Sequence, residues 1–563
     1  MIITSIKQKA KKLALTIVYS FVVIALHCQT YRVEETGKNF SKQEWFKMNG
    51  GVTLNSMYMQ GNVPPSSTLS YLLAGNVHFQ LFNTIQVPLS ISLTNTGANV
   101  AYPTLPNRFS LHPSYKWATL HLGDITLPFS PYTLSDHQFT GVGLELSPDK
   151  WKIAAMYGQL QRKLEYDTAN VLVPAAYQRM GVGTQVRYQH EIFTIGSSIF
   201  LAKDNETSLL NQPDSVGIFP QQNLASQVDI SANVATNIRL MGEYAFSLLD
   251  RDMRIPSNGS RVYYQSYNMG IAYTFLKNEL QLKYERIDPQ YSTLGTYYSN
   301  SDYENITVNF TTQLLKDKVQ LATNVGVQND DLDGTKGSRT SRFVGAMNVA
   351  YTPSQRVSIN AGYSNFQSHK NVKSQFNYIN QYDIVQNLDT LDFVQLSQNA
   401  NFMCSYVLQQ TDSQNQNVQF TTNWQQAKDT YIGISNPSNF MSMLNSYLMH
   451  TIQFNKTNWQ VSSSFNYTYS DMQQATNKMF GPTVAVSARF LNKTLQSGLS
   501  YSCNWSYTEA EYDQFVTNIR IHSSYTFLKK HTLQASGTYQ LLAKNTTPNI
   551  YRTNLTIAYR YTF

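Results

Sequence analysis

The chain has 563 residues, of which only 14% are charged and 13% aromatic, with 38 tyrosines and a formal net charge of +8; its mean hydropathy is −0.34. Soluble domains usually carry about 25% charged residues, and a spanning helix needs an apolar run of about 20 residues, which nothing after residue 26 approaches. A chain poor in both charge and long apolar runs must take its apolar residues in alternation, and alternation is the period of strands.

Residues 1–12 carry Lys7, Lys9, Lys11 and Lys12 without an acid, and LALTIVYSFVVIAL at 13–26 is an apolar core too short to span. This predicts a secretory signal over residues 1–28, cleaved near His27, Cys28 or Gln29. Acylation of Cys28 is the alternative, although His27 is a poor neighbour for a lipidated cysteine. Removing these lysines lowers the net charge of +8 to about +4, so the basic balance implies no nucleic-acid partner. Residues 29–46 then form a short periplasmic segment, and 47–563 a single domain.

From there the chain reads as a series of two-residue alternations. Trp459, Val461, Phe465, Tyr467 and Tyr469 share one face, opposite Gln460, Ser462, Ser464, Asn466 and Thr468. The stretch from 495 repeats this, with Leu499, Tyr501 and Trp505 opposite Ser500, Ser502 and Asn504. These strands run to about 10–14 residues, where soluble strands average nearer 5 or 6 and tilted transmembrane strands need about 9–11. Aromatics such as Trp459 and Tyr469 stand at strand ends, as in the aromatic girdles of membrane barrels. Tight connections (LKNE at 276–279, LKDK at 315–318, TPSQ at 352–355, LNKT at 491–494, LKKH at 528–531) alternate with long ones (around 204–222, 249–261, 288–301, 368–397 and 428–442). The expectation is an all-β, large antiparallel transmembrane β-barrel with short periplasmic turns and long extracellular loops. It has about 24 to 26 strands, with 22 as the lower bound, and an even number because both termini should be periplasmic.

The phrase YTFLK occurs at 273–277 and at 525–529, and YTF closes the chain. It reads as a strand descending to the periplasmic rim, with Tyr and Phe outward and Thr inward. Tyr559, Tyr561 and Phe563 end the last alternation in the manner of a C-terminal insertion signal for barrel assembly.

Two passages are distinctive: RFSLHPSYKWATLHLGDITLPFSPYTLSDHQFTGVGLELSPDKWKIAAMYGQLQRKL at 108–164, and NLDTLDFVQLSQNANFMCSY at 387–406. Both resemble segments of a large family of Bacteroidota outer-membrane β-barrel proteins of unassigned activity, and the similarity extends over about 52–563. The resemblance implies fold and a Gram-negative outer-membrane location and adds nothing on mechanism.

Candidate chemistry is sparse. His121, Asp124, Asp136 and His137 crowd into HLGDITLPFSPYTLSDH, and such a group can bind a metal or act as acid and base. The structural reading is preferred: Gly123-Asp124 breaks a strand, Pro128 and Pro131 hold an irregular loop, and Ser135-Asp136 opens the next hairpin. Neither H-E-x-x-H nor G-x-S-x-G is present, so we expect no enzyme, no metal and no cofactor. Thr168, Ser215 and Thr390 each follow an Asp in the short O-glycosylation pattern of Bacteroidota, in loops assigned outside. Cys404 and Cys503 share the lipid-facing phase and are expected as free thiols.

Two functions remain. A conduit would use the polar inward face, with Lys283, Glu285 and Arg560 among the lumen-lining charges, to pass small polar solutes. Alternatively, an occluded barrel would serve as a scaffold in outer-membrane assembly, secretion or surface binding. The long segment 368–397, with Phe376, Tyr378, Tyr382 and Phe393, is the expected constriction or external binding surface. Expected partners are outer-membrane lipid, the barrel insertion machinery and other envelope proteins.

Overall fold

The computed structural model describes residues 45–62, 67–95, 108–165, 175–210, 217–255, 260–297, 300–335, 341–365, 395–431, 434–435, 440–472, 475–509, 511–544 and 548–563. Alternation becomes strand along nearly all of them. Strand follows strand in antiparallel register, and the ring is closed by its two ends: Phe46–Gly61 pairs with Ser67–Leu81 on one side and with Ile550–Thr562 on the other. Arg108–Leu111 and Ser114–Tyr115 are two pieces of one wall strand, since both pair with Ile85–Thr94 and with Ala118–Thr126. Ile434–Ser435 is a short return against the end of Gln414–Tyr431. The result is a closed barrel of 26 strands, the upper of the two even numbers expected.

Burial separates the two faces. In Phe193–Asp204, Ile195, Ile199 and Leu201 are 42, 47 and 42% exposed, while Ser198, Phe200 and Ala202 between them are at most 2% exposed. Large apolar side chains therefore line the outside all round, as they must if lipid is the solvent there. Among the described residues no helix is long and apolar enough to cross a membrane.

The tight turns sit at the rim where Phe46–Gly61 begins and Ile550–Thr562 ends. Leu528 and Lys529 have φ of 50° and 60° in the three-residue connection between the paired Phe527 and His531, left-handed angles that suit a tight hairpin between strands of right-handed twist. Leu276 takes φ 52° at the sister turn, although a leucine there costs roughly 1–2 kcal/mol relative to glycine. Outward at this rim, Tyr525 and Phe527 stack 5.7 Å apart, Phe527 on His531 at 5.1 Å, and His531 on Tyr561 at 4.7 Å. Inward, the hydroxyls of Thr526 and Thr532 are 3.2 Å apart, so the Tyr-out, Thr-in reading of YTF holds in this hairpin. Cys404 and Cys503 are free and stand in phase with the exposed Tyr406 and Tyr501.

Two local readings change. Gly123 and Asp124 lie inside the strand Ala118–Thr126, paired with Gly141 and Thr140; Gly123 takes φ 96° without breaking the ladder. Residues 288–297, expected in an external loop, turn into the barrel. Residues 1–28, most of 29–46, and the constriction assigned to 368–397 except its last residues lie outside the described residues.

Candidate functional site

Residues 127–137 (LPFSPYTLSDH) and 288–297 (DPQYSTLGTY) fold together against the inner wall. Prolines 128 and 131 deny this first segment the N–H groups a ladder needs, while Leu127, Phe129, Tyr132 and Leu134 give it apolar surface to bury. Leu134 and Phe139 are fully buried, and Leu127, Phe129 and Tyr132 nearly so, in one cluster with Phe200, Leu249, Tyr264, Tyr291 and Leu294. The two segments hold each other: Tyr291 Oη donates to the Tyr132 carbonyl at 2.7 Å, Thr293 Oγ1 to the Thr133 carbonyl at 2.8 Å, and the Ser135 N–H to the Gly295 carbonyl at 3.1 Å. Gly295 is required there because a Cβ would strike the Thr133 carbonyl.

The wall supplies the remaining partners, and they are polar, because a closed barrel can bury polar side chains only toward its interior. Gln185 Nε2 donates to the Phe129 carbonyl at 2.7 Å, and Ser247 Oγ to the Ser292 carbonyl at 2.6 Å. Ser130 Oγ donates to Glu243 Oε1 at 2.8 Å, and Tyr132 Oη to Glu285 Oε1 at 2.7 Å. Those carboxylates belong to one row along the hydrogen-bonding direction, in which Asp229 faces Glu243, Glu243 faces Asn268, Asn268 faces Glu285 and Glu285 faces Asn305. Cations neutralise the row. Arg187 Nη2 reaches Asp229 Oδ1 at 3.0 Å across Gly196, where a Cβ would meet the Asp229 carboxylate, and Lys283 Nζ lies 3.4 Å from Glu285 Oε2. Nearer the loop end, Arg179 grips Asp204 with two hydrogen bonds of 2.7 and 3.0 Å, and Arg261 grips Asp250 with two of 2.8 Å.

Burial, and then the adjacent Glu285 carboxylate, push the Tyr132 phenol far above its ordinary range, so it is a permanent donor. Burial holds His137 down to about 4; its ring stacks on Tyr297 at 4.2 Å and its Nδ1 donates to the Gln138 carbonyl at 2.9 Å.

The histidine and aspartate group seen in the sequence is therefore divided. His121 is 2.9 Å from Glu145 Oε2 through Nε2 and 2.7 Å from His112 Nδ1 through Nδ1, which occupies both ring nitrogens. Asp124 accepts from the Phe109 N–H and the Thr140 hydroxyl, Asp136 from the Ser135 hydroxyl, and His137 packs with Tyr297. Among the described residues no group of three or more His, Cys, Asp or Glu is arranged to hold a metal ion. Of the lumen candidates, Glu285 accepts from Tyr132 of the inward-folded segment, and Lys283 lies beside Glu285 on the wall. Arg560 stands in inward phase near the turn rim, opposite Thr532 and Thr53. Tyr559 accepts or donates a 2.6 Å hydrogen bond with His531 Nδ1, and Tyr561 and Phe563 stack at 5.5 Å outside the same rim. Thr168, Ser215 and Thr390 lie outside the described residues.

A ring of strand pairs closed on itself, apolar outside and polar within, decides the class. The chain is a transmembrane β-barrel of the outer-membrane type. No protein-family model and no curated protein matches the sequence. Among solved structures the barrel is similar to an Escherichia coli P pilus tip assembly intermediate containing the usher PapC, at 9% identity and a TM-score of 0.45, covering 92% of this chain and 62% of that one. It is also similar to the ferric citrate transporter FecA, at 9% identity and TM-score 0.40, covering 92% and 79%. The Acinetobacter baumannii protein OccAB2 matches at 9% identity and TM-score 0.32, covering 92% and 98%. All are outer-membrane barrels, and the likeness extends no further; the assignment of the barrel rests on its own strand pairing.

Proposed function

We propose that this barrel is a conduit for small polar solutes across the outer membrane, narrowed on one side by its own inward-folded segments. One observation carries the reading: among the described residues, the lining is confined to a sector of the wall. The buried cluster draws its members from residues 125–294, in strands from Ala118–Thr126 to Asn278–Ile287 and the segments folded onto them. From Ser341–Ser354 round through the closure to Ile85–Thr94, the inward side chains are mostly Ser, Thr, Asn, Gln and small residues, and none belongs to that cluster. A barrel this wide normally encloses a channel or a plugged lumen, and a lining on one sector leaves passage along the other.

On this reading the tight turns are periplasmic and the long loops external, residues 1–28 are a cleaved export signal, and Tyr559, Tyr561 and Phe563 address the insertion machinery. The Bacteroidota resemblance and O-glycosylation of Thr168, Ser215 and Thr390 belong to the same proposal, and the barrel has no catalytic role. The test is single-channel conductance of the purified barrel in a planar bilayer. Stable open steps from the intact protein are expected. A silent intact barrel that conducts only when residues 370–395 are deleted would overturn the conduit in favour of an occluded scaffold.

A further inference from the structure

The two sectors of the lumen treat their cations differently. On the lined sector most inward or loop-end cations are paired with acids, Arg179 with Asp204, Arg187 with Asp229, Lys283 with Glu285 and Arg261 with Asp250, while Arg251 bonds to the Tyr264 hydroxyl and Gln290 and Lys152 has no ion pair among the described residues. On the opposite sector, among the described residues, Arg489, Arg520, Arg552, Arg560 and Lys544 have neither an ion pair nor a side-chain hydrogen bond.

Register shows how these free cations are arranged. Taking Glu511–Phe527 as a ruler, Lys544 stands level with Gln514, and Arg552 with Asn518 through Gln540. Arg520 follows on the ruler itself. Arg489 is level with Ser524 through Gln496, and Arg560 with Thr526 through Thr532. All fall on the inward phase, which alternates with the outward Ile519, Ile521 and Tyr525. Positive charge therefore recurs every few residues from the loop end to the turn end of one wall. Acids do not interrupt it. From Ser341 round to Thr94 every described Asp or Glu lies in a turn or toward a strand end: Asp412, Asp429, Asp471, Glu509, Glu511 and Asp513.

Unpaired cations facing a water-filled, low-dielectric-walled passage raise the local concentration of anions and repel cations. Their spacing hands an anion from one group to the next without a single deep trap, which conduction requires. We infer that the open sector selects small anionic solutes, recognised through carboxylate or phosphate oxygens by Arg520, Arg552 and Arg560 and their neighbours. The inference rests on the conduit reading and specifies its solute class.

The experiment is the zero-current potential of the full-length barrel in a planar bilayer under a KCl gradient. Chloride is expected to permeate in preference to potassium. The triple variant R520Q/R552Q/R560Q should lose most of that preference, while R520K/R552K/R560K keeps it; none of these side chains makes an ion pair or a side-chain hydrogen bond among the described residues, so both variants should assemble. A conducting barrel that prefers potassium, or whose preference is the same in the glutamine variant, overturns the anion inference and leaves the conduit standing. A silent barrel overturns both.

Discussion

Replacing Tyr132 by Phe removes one hydroxyl from the wall lining and leaves the ring packed beside Tyr291, 6.2 Å away and nearly perpendicular to it. The lost bond is the 2.7 Å donation to Glu285 Oε1. A hydrogen bond to a charged group is worth about 1.5–3 kcal/mol, and Tyr132 is only 6% exposed, so water does not readily replace it. At about 1.4 kcal/mol per tenfold change, local opening of the segment should rise roughly ten- to hundred-fold. Hydrogen exchange reads this directly, because amides that close the lining are identifiable: Phe129 N–H to the Leu134 carbonyl, Thr133 N–H to Ser130, Ser135 N–H to Gly295. Their exchange should accelerate while the wall strands keep their protection. Unchanged rates in 127–137, or equal acceleration throughout Phe193–Asp204 and its neighbours, would refute the idea that this hydroxyl latches a separable lining to the wall.

His137 gives the lining a pH dependence. Its folded value of about 4 lies below the ordinary 6.5, so between those values the loosened segment binds a proton that the packed one refuses. Stability is full above about pH 6.5 and falls toward pH 4, by up to about 3 kcal/mol. The near-ultraviolet dichroism of the stacked Tyr297 should weaken over that window in the native protein and not in His137→Gln; identical curves would refute it. Arg179→Ala leaves the Asp204 side chain, 2% exposed, without its cation and should cost about 3–5 kcal/mol. The temperature at which the folded band is lost in heat-modifiability gels should drop, and an unmoved temperature counts against the pairing. Deleting Phe563 should reduce the assembled fraction in cells while refolding in detergent proceeds normally; full assembly in cells would end the insertion-signal reading.

Period-two alternation made the walls legible, because a barrel strand's two faces meet different solvents; Trp459, Phe465 and Tyr467 opposite Gln460 and Ser464 left little choice of register. The turn ends were legible from repetition of YTFLK. The lining was not, because 127–137 has no period and its Pro128 and Pro131 read equally well as an ordinary loop. The available signal was its apolar content: Leu127, Phe129, Tyr132 and Leu134 within a few residues are too costly to leave in water, and a loop carrying them must find a surface. The charges showed the same limit. Lys283, Glu285 and Arg560 were readable as inward from alternation alone, but that Glu285 is claimed by Tyr132, 153 positions away, while Arg560 stands free is not contained in any local pattern.

The seam between Phe46–Gly61 and Ile550–Thr562 sets the order in which the molecule can come into being. Every other neighbouring pair in the ring is joined by a local connection; this one matches Gly51 to Thr562 and Gly61 to Arg552, so it waits for the whole chain. Until it forms, the sheet has two bare edges, each a template for the wrong partner, and the entropy of bringing such distant ends together must be met at the last step. Assembly is in this sense the fastening of a belt: nothing made earlier holds its shape until the buckle is reached.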